Sequence, residues 1–575
     1  MNNEEDICKI ELSLNAPRQS LNLRILWPNK MEEQQEFLIK NGEVDLNSLY
    51  LWILSHCKKI FEWEEIPHDI QFTIDHQFNK IPEILQVCQK IMNVLAATLN
   101  KIKENRFLKE EFRTFEGKLF YNIDDHAPLK DLYEKIKEKH PDQAFYLNAK
   151  SGWNKLKRCW ETSEHYSSEQ LIHLIREKRI KTLYSVNCHY LENILSKEKL
   201  LLCPLLKHLG LEFTTLDYDT YELLPDGFWT KALFNTPGFR RFSTMPNISK
   251  FFDQHLNHKE LRYFSFSSIQ NPKELIQNPQ EDCEILFTAH ARAPDLLSKL
   301  PQVLHYLHFV DSEKPFEDYQ LLYYAICHLL LHSHKLNLEE KIKHFYFFSH
   351  LYLNTLSLLK YEVISGIQSK KVSLHGDAAW KHLFPEYYCE KYLNKEEIKE
   401  KLEGGKALYL LMNQNYSYFE NNPVFLQAIN CAGPYLCFPA VTVTPELEGL
   451  RLPEYKNINE LNQKLNHLSD IFGSVEYQTS LLRLKTYIHS CSENFYEQID
   501  SKKPILNLYQ SFCDEHEKLY LNSVDIYLKK NFYKVTQCMD ELMNKKREEF
   551  QIHQYSYFHK PYIQNLLSNF GRNAS

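Results

Sequence analysis

The chain has 575 residues, which is too long for one hydrophobic core and predicts roughly three or four domains. With 43% hydrophobic and 25% charged residues, the composition is typical of a globular protein. A net charge of −7 gives no general attraction to nucleic acid or anionic lipid, so we expect no nucleic-acid partner.

Cysteine usage and the amino-terminal residues bear on the compartment. The 14 cysteines are scattered singly without a CxxC pair, which disfavours a metal framework and gives little support to a disulfide framework. The segment MNNEEDICKIELSL is acidic and lacks the layout of a signal peptide. No apolar run is long enough to predict a membrane span. We therefore expect the protein to lie in a reducing cytoplasm. This is either the cytoplasm of the cell that makes it or, for a secreted effector, that of a host cell.

The first part of the chain predicts a hairpin followed by helices. Residues 8–27 alternate apolar and polar side chains around an Asn-Ala-Pro break, as a β-hairpin does. From about residue 45 to 140 the pattern becomes mostly helical, for example over residues 81–104. We expect residues 1–160 to form a mostly helical domain with an initial β-hairpin.

Near residue 165 the pattern changes to alternating helices and strands. A helix is predicted over 167–180, with strands over 181–187, 212–219 and 283–290. Such spacing is typical of βαβ units around a parallel sheet. We therefore expect a Rossmann-like domain over 165–325, followed by a helical connection over 326–367.

The same alternation returns after residue 368. KVSLHGD predicts a strand and turn, Asn394 and Glu397 predict a capping box, and Gly404-Gly405 predicts the end of that helix. A second Rossmann-like domain is expected over 368–482 and a helical extension over 483–575. The further predicted elements are strands over 407–413 and 434–439 and helices over 423–433 and 457–472. The predicted fold class is α/β, with two Rossmann-like domains that face a crevice and helical extensions at both ends.

An ordered set of short motifs in the second of these regions carries a family resemblance. LHGDAAW with LFPEYY, then LLMNQN, AINCAGPYLCF and NINELNQKL follow one another over 372–470. The segments TLYSVNCHYLENIL, LKHLGLEFTTLDYDTYEL and CEILFTAHARAPDLLSKL precede them in the first region. In this order they resemble GT-B glycosyltransferases of the spore-maturation, CgeB-like group, over residues 165–480.

The resemblance implies transfer of a sugar from a nucleotide-sugar donor to a protein or glycan acceptor, with no cofactor required. It places the donor between the two domains, its diphosphate near backbone amides at a helix start. Glycine at position 376 would let the backbone approach this ligand. The acceptor base would come from His189, Asp217 or Asp219. The implied donor-side residues are Arg292, His375, Gly376, Asp377, Asn413, Gln427 and Gly433.

The chain departs from the family pattern at two places. The arginine and the acidic residue expected at the start of the donor helix are replaced by Pro423 or Val424 and by Gln427. In the first region Thr288 and Ala289 stand where the family has a glycine-bearing turn. Because no neutral residue matches an arginine on a diphosphate, the alternative is a catalytically inactive scaffold that binds protein partners through its helical extensions.

Two further interpretations remain open at the sequence level. His375-Gly376-Asp377 is also the pattern of an ordinary strand-to-helix turn in which Asp377 caps the next helix. Asp217-Tyr218-Asp219 ends a predicted strand, as in metal-dependent GT-A glycosyltransferases that hold Mg²⁺ or Mn²⁺ on carboxylates. Only this GT-A alternative requires a divalent metal.

Overall fold

The computed structural model shows a chain that forms two compact units, Met1–Arg262 and Tyr263–Ser575. The residues described are 7–15, 20–27, 32–38, 49–50, 53–54, 57–61, 66–75, 82–123, 127–149, 151–154, 159–162, 167–186, 200–217, 240–243, 261–262, 275–289, 291–368, 370–390, 393, 395–412, 433–439, 448–450, 453–500, 507–546 and 549–570.

The first unit opens with a four-stranded sheet in the order β3-β2-β1-β4. Its first two strands form the antiparallel hairpin that the alternating pattern predicts. The alternation places one apolar set in the core, because successive side chains of a strand point to opposite faces. Ile10 lies opposite Ile25, and both are buried. The strands are β1 (Ile7–Asn15), β2 (Ser20–Leu26), β3 (Glu32–Leu38) and β4 (Asp69–Ile74).

Helices cover this sheet and lead to the next one. The first of them is amphipathic and contacts β4, with apolar residues such as Ile84, Ile91 and Leu95 buried. A Ser167–Gln170 capping box starts the fourth, in the segment predicted as an amphipathic helix. The helices are α1 (Pro82–Asn105), α2 (Leu108–Phe112), α3 (Ala127–Lys139), α4 (Ser168–Glu177) and α5 (Leu202–His208), and Lys58–Phe61 forms a 3-10 turn.

A second sheet of the first unit contains six strands, all parallel. Counted along the chain, its strand order is 2-1-3-4-5-6. The strands are β5 (Gly117–Ile123), β6 (Ala144–Ala149), β7 (Ser151–Asn154), β8 (Cys159–Thr162), β9 (Ile180–Val186), β10 (Glu212–Asp217), β11 (Arg240–Ser243) and β12 (Leu261–Arg262), of which β7 and β8 form a separate hairpin. This sheet differs from the predicted division, because its first two strands precede residue 160. Residues 1–160 are therefore not a separate helical domain.

The second unit contains a five-stranded parallel sheet in the order β15-β14-β13-β16-β17. Counted along the chain, this order is 3-2-1-4-5, so the first strand lies at the centre. Every residue of β14 and β16 is buried, as expected for strands covered on both faces. The strands are β13 (Glu284–Ala289), β14 (Val372–Gly376), β15 (Tyr388–Glu390), β16 (Ala407–Leu411) and β17 (Tyr435–Cys437). The strand predicted over 283–290 was expected in the first Rossmann-like domain, but it lies in the five-stranded sheet of the second unit.

Three long helices join β13 to β14, and the helical connection predicted over 326–367 falls on the second and third of them. The third of them has 29 residues, starts with an Asn337–Glu340 capping box and packs on the other two. The helices of this unit are α6 (Ala293–His308), α7 (Pro315–His332), α8 (Leu338–Gly366), α9 (Ala379–Leu383), α10 (Lys395–Leu402), α11 (Ile458–Asn466), α12 (Leu468–Phe472), α13 (Val475–Asp500), α14 (Asn507–Asn544) and α15 (Pro561–Phe570).

The carboxyl-terminal helices pack on this α/β layer. Helix α14 contacts α7, and α15 contacts α6 and α9. Short 3-10 turns at Glu403–Gly405, Ile552–Gln554 and Ser556–His559 complete the unit. Within the ranges described above, no helix is long and apolar enough to cross a membrane, and no cysteine forms a disulfide.

Candidate functional site

The register of β13 and β14 brings two predicted site segments to one edge of the five-stranded sheet of the second unit. Thr288 lies opposite His375 and Ala289 opposite Gly376 in this parallel pair. The turns that follow the two strands are therefore neighbours at the carboxyl edge, where ligands of parallel α/β sheets bind. Arg292 and the His375–Asp377 turn meet here within one sheet, rather than in two domains as the sequence predicted.

Gly376 is required by packing at this edge. Its φ is +155°, and a Cβ atom built there would lie 2.1 Å from the Ala289 carbonyl oxygen. The same Cβ would lie 2.9 Å from the indole nitrogen of Trp380, which donates a 2.8 Å hydrogen bond to that carbonyl. Trp380 is fully buried against the rings of Phe287 and Tyr361. The glycine thus admits the tryptophan and the neighbouring strand, which is a packing reason that the sequence analysis did not anticipate.

The Asp377 carboxylate joins the two turns. It accepts hydrogen bonds from the backbone amides of Ala291, at 2.8 Å, and Ala379, at 3.0 Å. The second amide belongs to the first residue of helix α9, so the carboxylate satisfies one of the free amides at the start of that helix from the position before its N-cap residue, Ala378. This is the turn-and-cap role that the sequence analysis kept open as an alternative. His375 is 6% exposed and is the second-to-last residue of β14, just before this junction.

Arg292 occupies the connection from β13 to helix α6. Its backbone is left-handed, with φ 51° and ψ 28°, and it precedes a 16-residue helix that has no side-chain cap. The Tyr361 hydroxyl of helix α8 donates a hydrogen bond to the Ala291 carbonyl and holds this connection against α8. The Arg292 side chain is exposed. A helix start carries partial positive charge, so this cation lies where an anion is favoured.

Lys360 is a second cation at the same place, and sequence reasoning missed it. It precedes Tyr361 in helix α8 and is only partly exposed. Burial, together with the smaller effect of the positive charge of Arg292, lowers the pKa of Lys360 to about 7. In the part of the chain described here, neither cation has a hydrogen-bond or ion-pair partner. The only sequence signal was a lone lysine after an apolar stretch of the helix.

The other predicted residues do not join this cluster. Asp217 is the last residue of β10 and belongs to the first unit. A Cβ at Gly433 would lie 2.5 Å from a Leu402 methyl, so that glycine packs against α10. His189, Asp219, Asn413 and Gln427 lie outside the described residues.

A cavity of about 680 Å³ lies elsewhere in the second unit. Its wall includes none of the predicted site residues. It is lined by Ser312, Glu313, Lys314, Pro315, Phe316, Glu362, Lys456, Asn457, Ile458, Asn459, Ser556, Tyr557 and Lys560. One of these segments begins the NINELNQKL motif at Asn457, but the sequence analysis placed no site residue in it.

Metal ligands and relatives give no additional assignment. Across the described ranges, no group of three or more His, Cys, Asp or Glu side chains is placed to bind a metal ion. The chain matches no protein-family model and no curated protein.

Proposed function

We propose that the protein binds the diphosphate of a nucleotide-sugar at the carboxyl edge of β13 and β14 and acts as a GT-B-like glycosyltransferase. The strand orders support this proposal. The order 3-2-1-4-5 matches the first five strands of the Rossmann order 3-2-1-4-5-6, and 2-1-3-4-5-6 extends the flavodoxin-like order. Proteins with these two fold-family orders bind nucleotides at the carboxyl ends of their strands.

The single observation that carries the proposal is the pair of cations at the end of the central strand, Arg292 and Lys360, which have no hydrogen-bond or ion-pair partner among the described residues. In Rossmann folds the turn from the first strand to its helix holds the phosphates, and Arg292 lies in that turn. A guanidinium matches the geometry of phosphate oxygens, and a lysine adds a point charge. A bound diphosphate would also favour the protonated form of Lys360.

The proposed chemistry depends mainly on positioning. The two cations would hold the donor diphosphate and stabilise its charge as the sugar leaves. The acceptor, a protein or glycan hydroxyl, needs a base, for which Asp217, Asp219 and His189 are the residues that the resemblance implies. Donor binding is the first requirement of this transfer.

Donor binding is tested by thermal unfolding of the full chain with UDP-, GDP-, ADP- and TDP-sugars, each with and without Mg²⁺ or Mn²⁺. A ligand at about a hundred times its dissociation constant adds about 2.7 kcal/mol, which raises the melting temperature by a few degrees. We expect one nucleotide class to stabilise the parent, and Arg292→Gln or Lys360→Gln to abolish this stabilisation. A metal requirement would favour the Asp217 alternative.

Lys371→Gln is the matched control for this experiment. Lys371 lies at the opposite, amino-terminal edge of the same strands, where it contacts Glu284 at 3.9 Å, so this variant should retain the ligand response. If no donor at millimolar concentration stabilises the parent, the proposed donor site is wrong. The proposed donor site is also wrong if the Lys371→Gln control loses the ligand response together with the two test variants.

A second candidate is a GT-B-shaped scaffold without transferase activity. The observation that favours it is the use of Gly376 and Asp377 for internal packing and capping, which leaves fewer groups for a donor. This candidate predicts that none of the four donor classes stabilises the chain. It also predicts that substitutions of Gly376 or Asp377 change the stability of the protein and nothing else.

A further inference from the structure

Three side chains from separate segments of the second unit form a chain of polar contacts. His305 of helix α6 lies between Tyr555, which precedes the last 3-10 turn, and Glu541 of helix α14. The His305 Nδ1 atom lies 2.6 Å from the Tyr555 hydroxyl oxygen. The His305 Nε2 atom lies 3.0 Å from the Glu541 carboxylate. None of these residues belongs to the site at β13 and β14.

The surroundings decide where the protons lie. Lys545, at 2.6 Å, and Gln537, at 2.9 Å, donate to the Glu541 carboxylate, and its pKa is lowered chiefly by Lys545. Burial lowers the pKa of His305 despite the nearby carboxylate, so the resting imidazole is neutral. A neutral imidazole with its proton on Nε2, facing Glu541, leaves Nδ1 to accept the proton of Tyr555.

This order of groups is that of a hydroxyl, a base and a carboxylate that orients the base. The contact between His305 and Glu541 has the distance of a hydrogen bond but is not aligned as one in the resting structure. Such contacts commonly tighten only when a substrate is present. Burial raises the pKa of Tyr555, so its hydroxyl is protonated at rest and must lose its proton as it reacts.

Tyr555 is 6% exposed but lines a cavity of about 210 Å³. This cavity shares wall residues, among them Ser312 and Pro315, with the 680 Å³ cavity. Its remaining wall combines apolar side chains with the polar His308 and Asp311, so it suits a small organic group that carries both apolar and polar atoms. These apolar residues are Leu304, Leu307 and Val310.

We propose that Tyr555, His305 and Glu541 form a nucleophilic site that accepts an acyl group from a small electrophile bound in this cavity. The Tyr555 oxygen forms a bond to the acyl carbon, and its proton moves to His305 Nδ1. The bond from the acyl carbon to the leaving group breaks, and the leaving group departs with the bonding electrons. Tyr555 is the residue that reacts, whereas Glu541 positions His305.

N-acetylimidazole, which acetylates tyrosine hydroxyls, is the probe for this proposal. The full chain is treated with the reagent, and mass spectrometry of peptides gives the acetylation rate at each tyrosine. Tyr557 is the matched control two residues away, because its hydroxyl donates to Glu362 at 3.2 Å and has no histidine contact within the described residues. We expect Tyr555 to react at least about tenfold faster, since a positioned base typically accelerates such steps by about 10²–10⁴.

Tyr557 is the more exposed residue, but burial and the Glu362 carboxylate raise the pKa of its hydroxyl, so slower labelling of Tyr557 does not by itself establish the role of His305. Glu541→Gln should slow acetylation of Tyr555 about tenfold and leave Tyr557 unchanged. A merely structural role for Glu541 predicts instead that its loss loosens the segment and makes Tyr555 react faster.

The comparison within the parent protein needs no variant, so equal rates would overturn the proposal even if Glu541→Gln is unstable. Equal rates at the two tyrosines, or faster labelling of Tyr555 in Glu541→Gln, would overturn the proposal. The experiment uses no nucleotide-sugar, so its outcome is independent of the proposed donor site.

Discussion

The partly buried ammonium of Lys360 is expected to give the protein a pH-dependent stability. Its pKa is lowered from 10.5 to about 7 by burial and by Arg292. Between these values the unfolded state binds more protons than the folded state, so this group makes stability rise with pH. Below about pH 7 both states are protonated and the full penalty remains. Lys360→Met should therefore increase the free energy of unfolding at pH 6–7 by an amount on the order of a few kcal/mol.

Urea unfolding of the parent and of Lys360→Met at pH 6, 7, 8, 9 and 10 measures this difference. The stabilisation by the variant should shrink steadily as pH rises. Lys371→Met is the control, since that side chain is 80% exposed and its difference from the parent should stay constant. A Lys360→Met difference that does not change with pH would show that the ammonium is not buried in the folded protein.

The functional residues differ in how far the sequence could predict them. Gly376 and Asp377 stood out because glycine is rare in this chain, with 14 residues in 575. The reason for the glycine was not predictable, because the Ala289 carbonyl and the Trp380 indole that surround it come from different segments. Lys360 gave only the signal of a lone lysine after an apolar stretch, since its environment depends on the approach of Arg292, 68 positions earlier.

At the scale of elements, Asp377 stabilises two strand-to-helix turns at once. Removing its carboxylate leaves the amides of Ala291 and Ala379 without this acceptor. Hydrogen bonds to a charged group contribute about 1.5–3 kcal/mol each, so Asp377→Ala should lower the free energy of unfolding by about 2–4 kcal/mol. Asp295→Ala, which removes an exposed carboxylate from the first turn of α6, should lower it by less than about 1 kcal/mol.

Urea unfolding gives both values, and the thermal response to donor sugars is measured on the same variants. If Asp377→Ala keeps the parent's stability but loses the donor response, the carboxylate serves a ligand and the capping role is secondary. Loss of stability without loss of the donor response supports the structural role.

The predicted elements were mostly correct in type and position, whereas their membership in sheets was not. The strands over 181–187, 212–219 and 407–413 are present as β9, β10 and β16, because local apolar runs and turn residues determine them. Strand pairing depends on contacts that are distant in sequence. β13 follows β12 in the chain but pairs with β14 and β16, across helices α6 to α8.

For the whole molecule, the position of β13 determines where the chain can be divided. A cut at 325, the boundary expected from the sequence, separates helix α6 and the central strand of the five-stranded sheet from the rest of the second unit. A cut at 262 keeps all five strands together. We expect residues 263–575 to unfold cooperatively in urea with the circular dichroism of a mixed α/β protein. Residues 326–575 should not, because β14 and β16 lose the strand that lies between them.

Limited proteolysis provides an independent measurement on the same two fragments. The longer fragment should resist cleavage under conditions in which the shorter one is degraded, because buried, paired strands are poor protease substrates. If residues 326–575 unfold as cooperatively as residues 263–575, the helices of that region fold without the sheet. In that case the packing of α7, α8 and α14, rather than the parallel sheet, is the structural basis of the second unit.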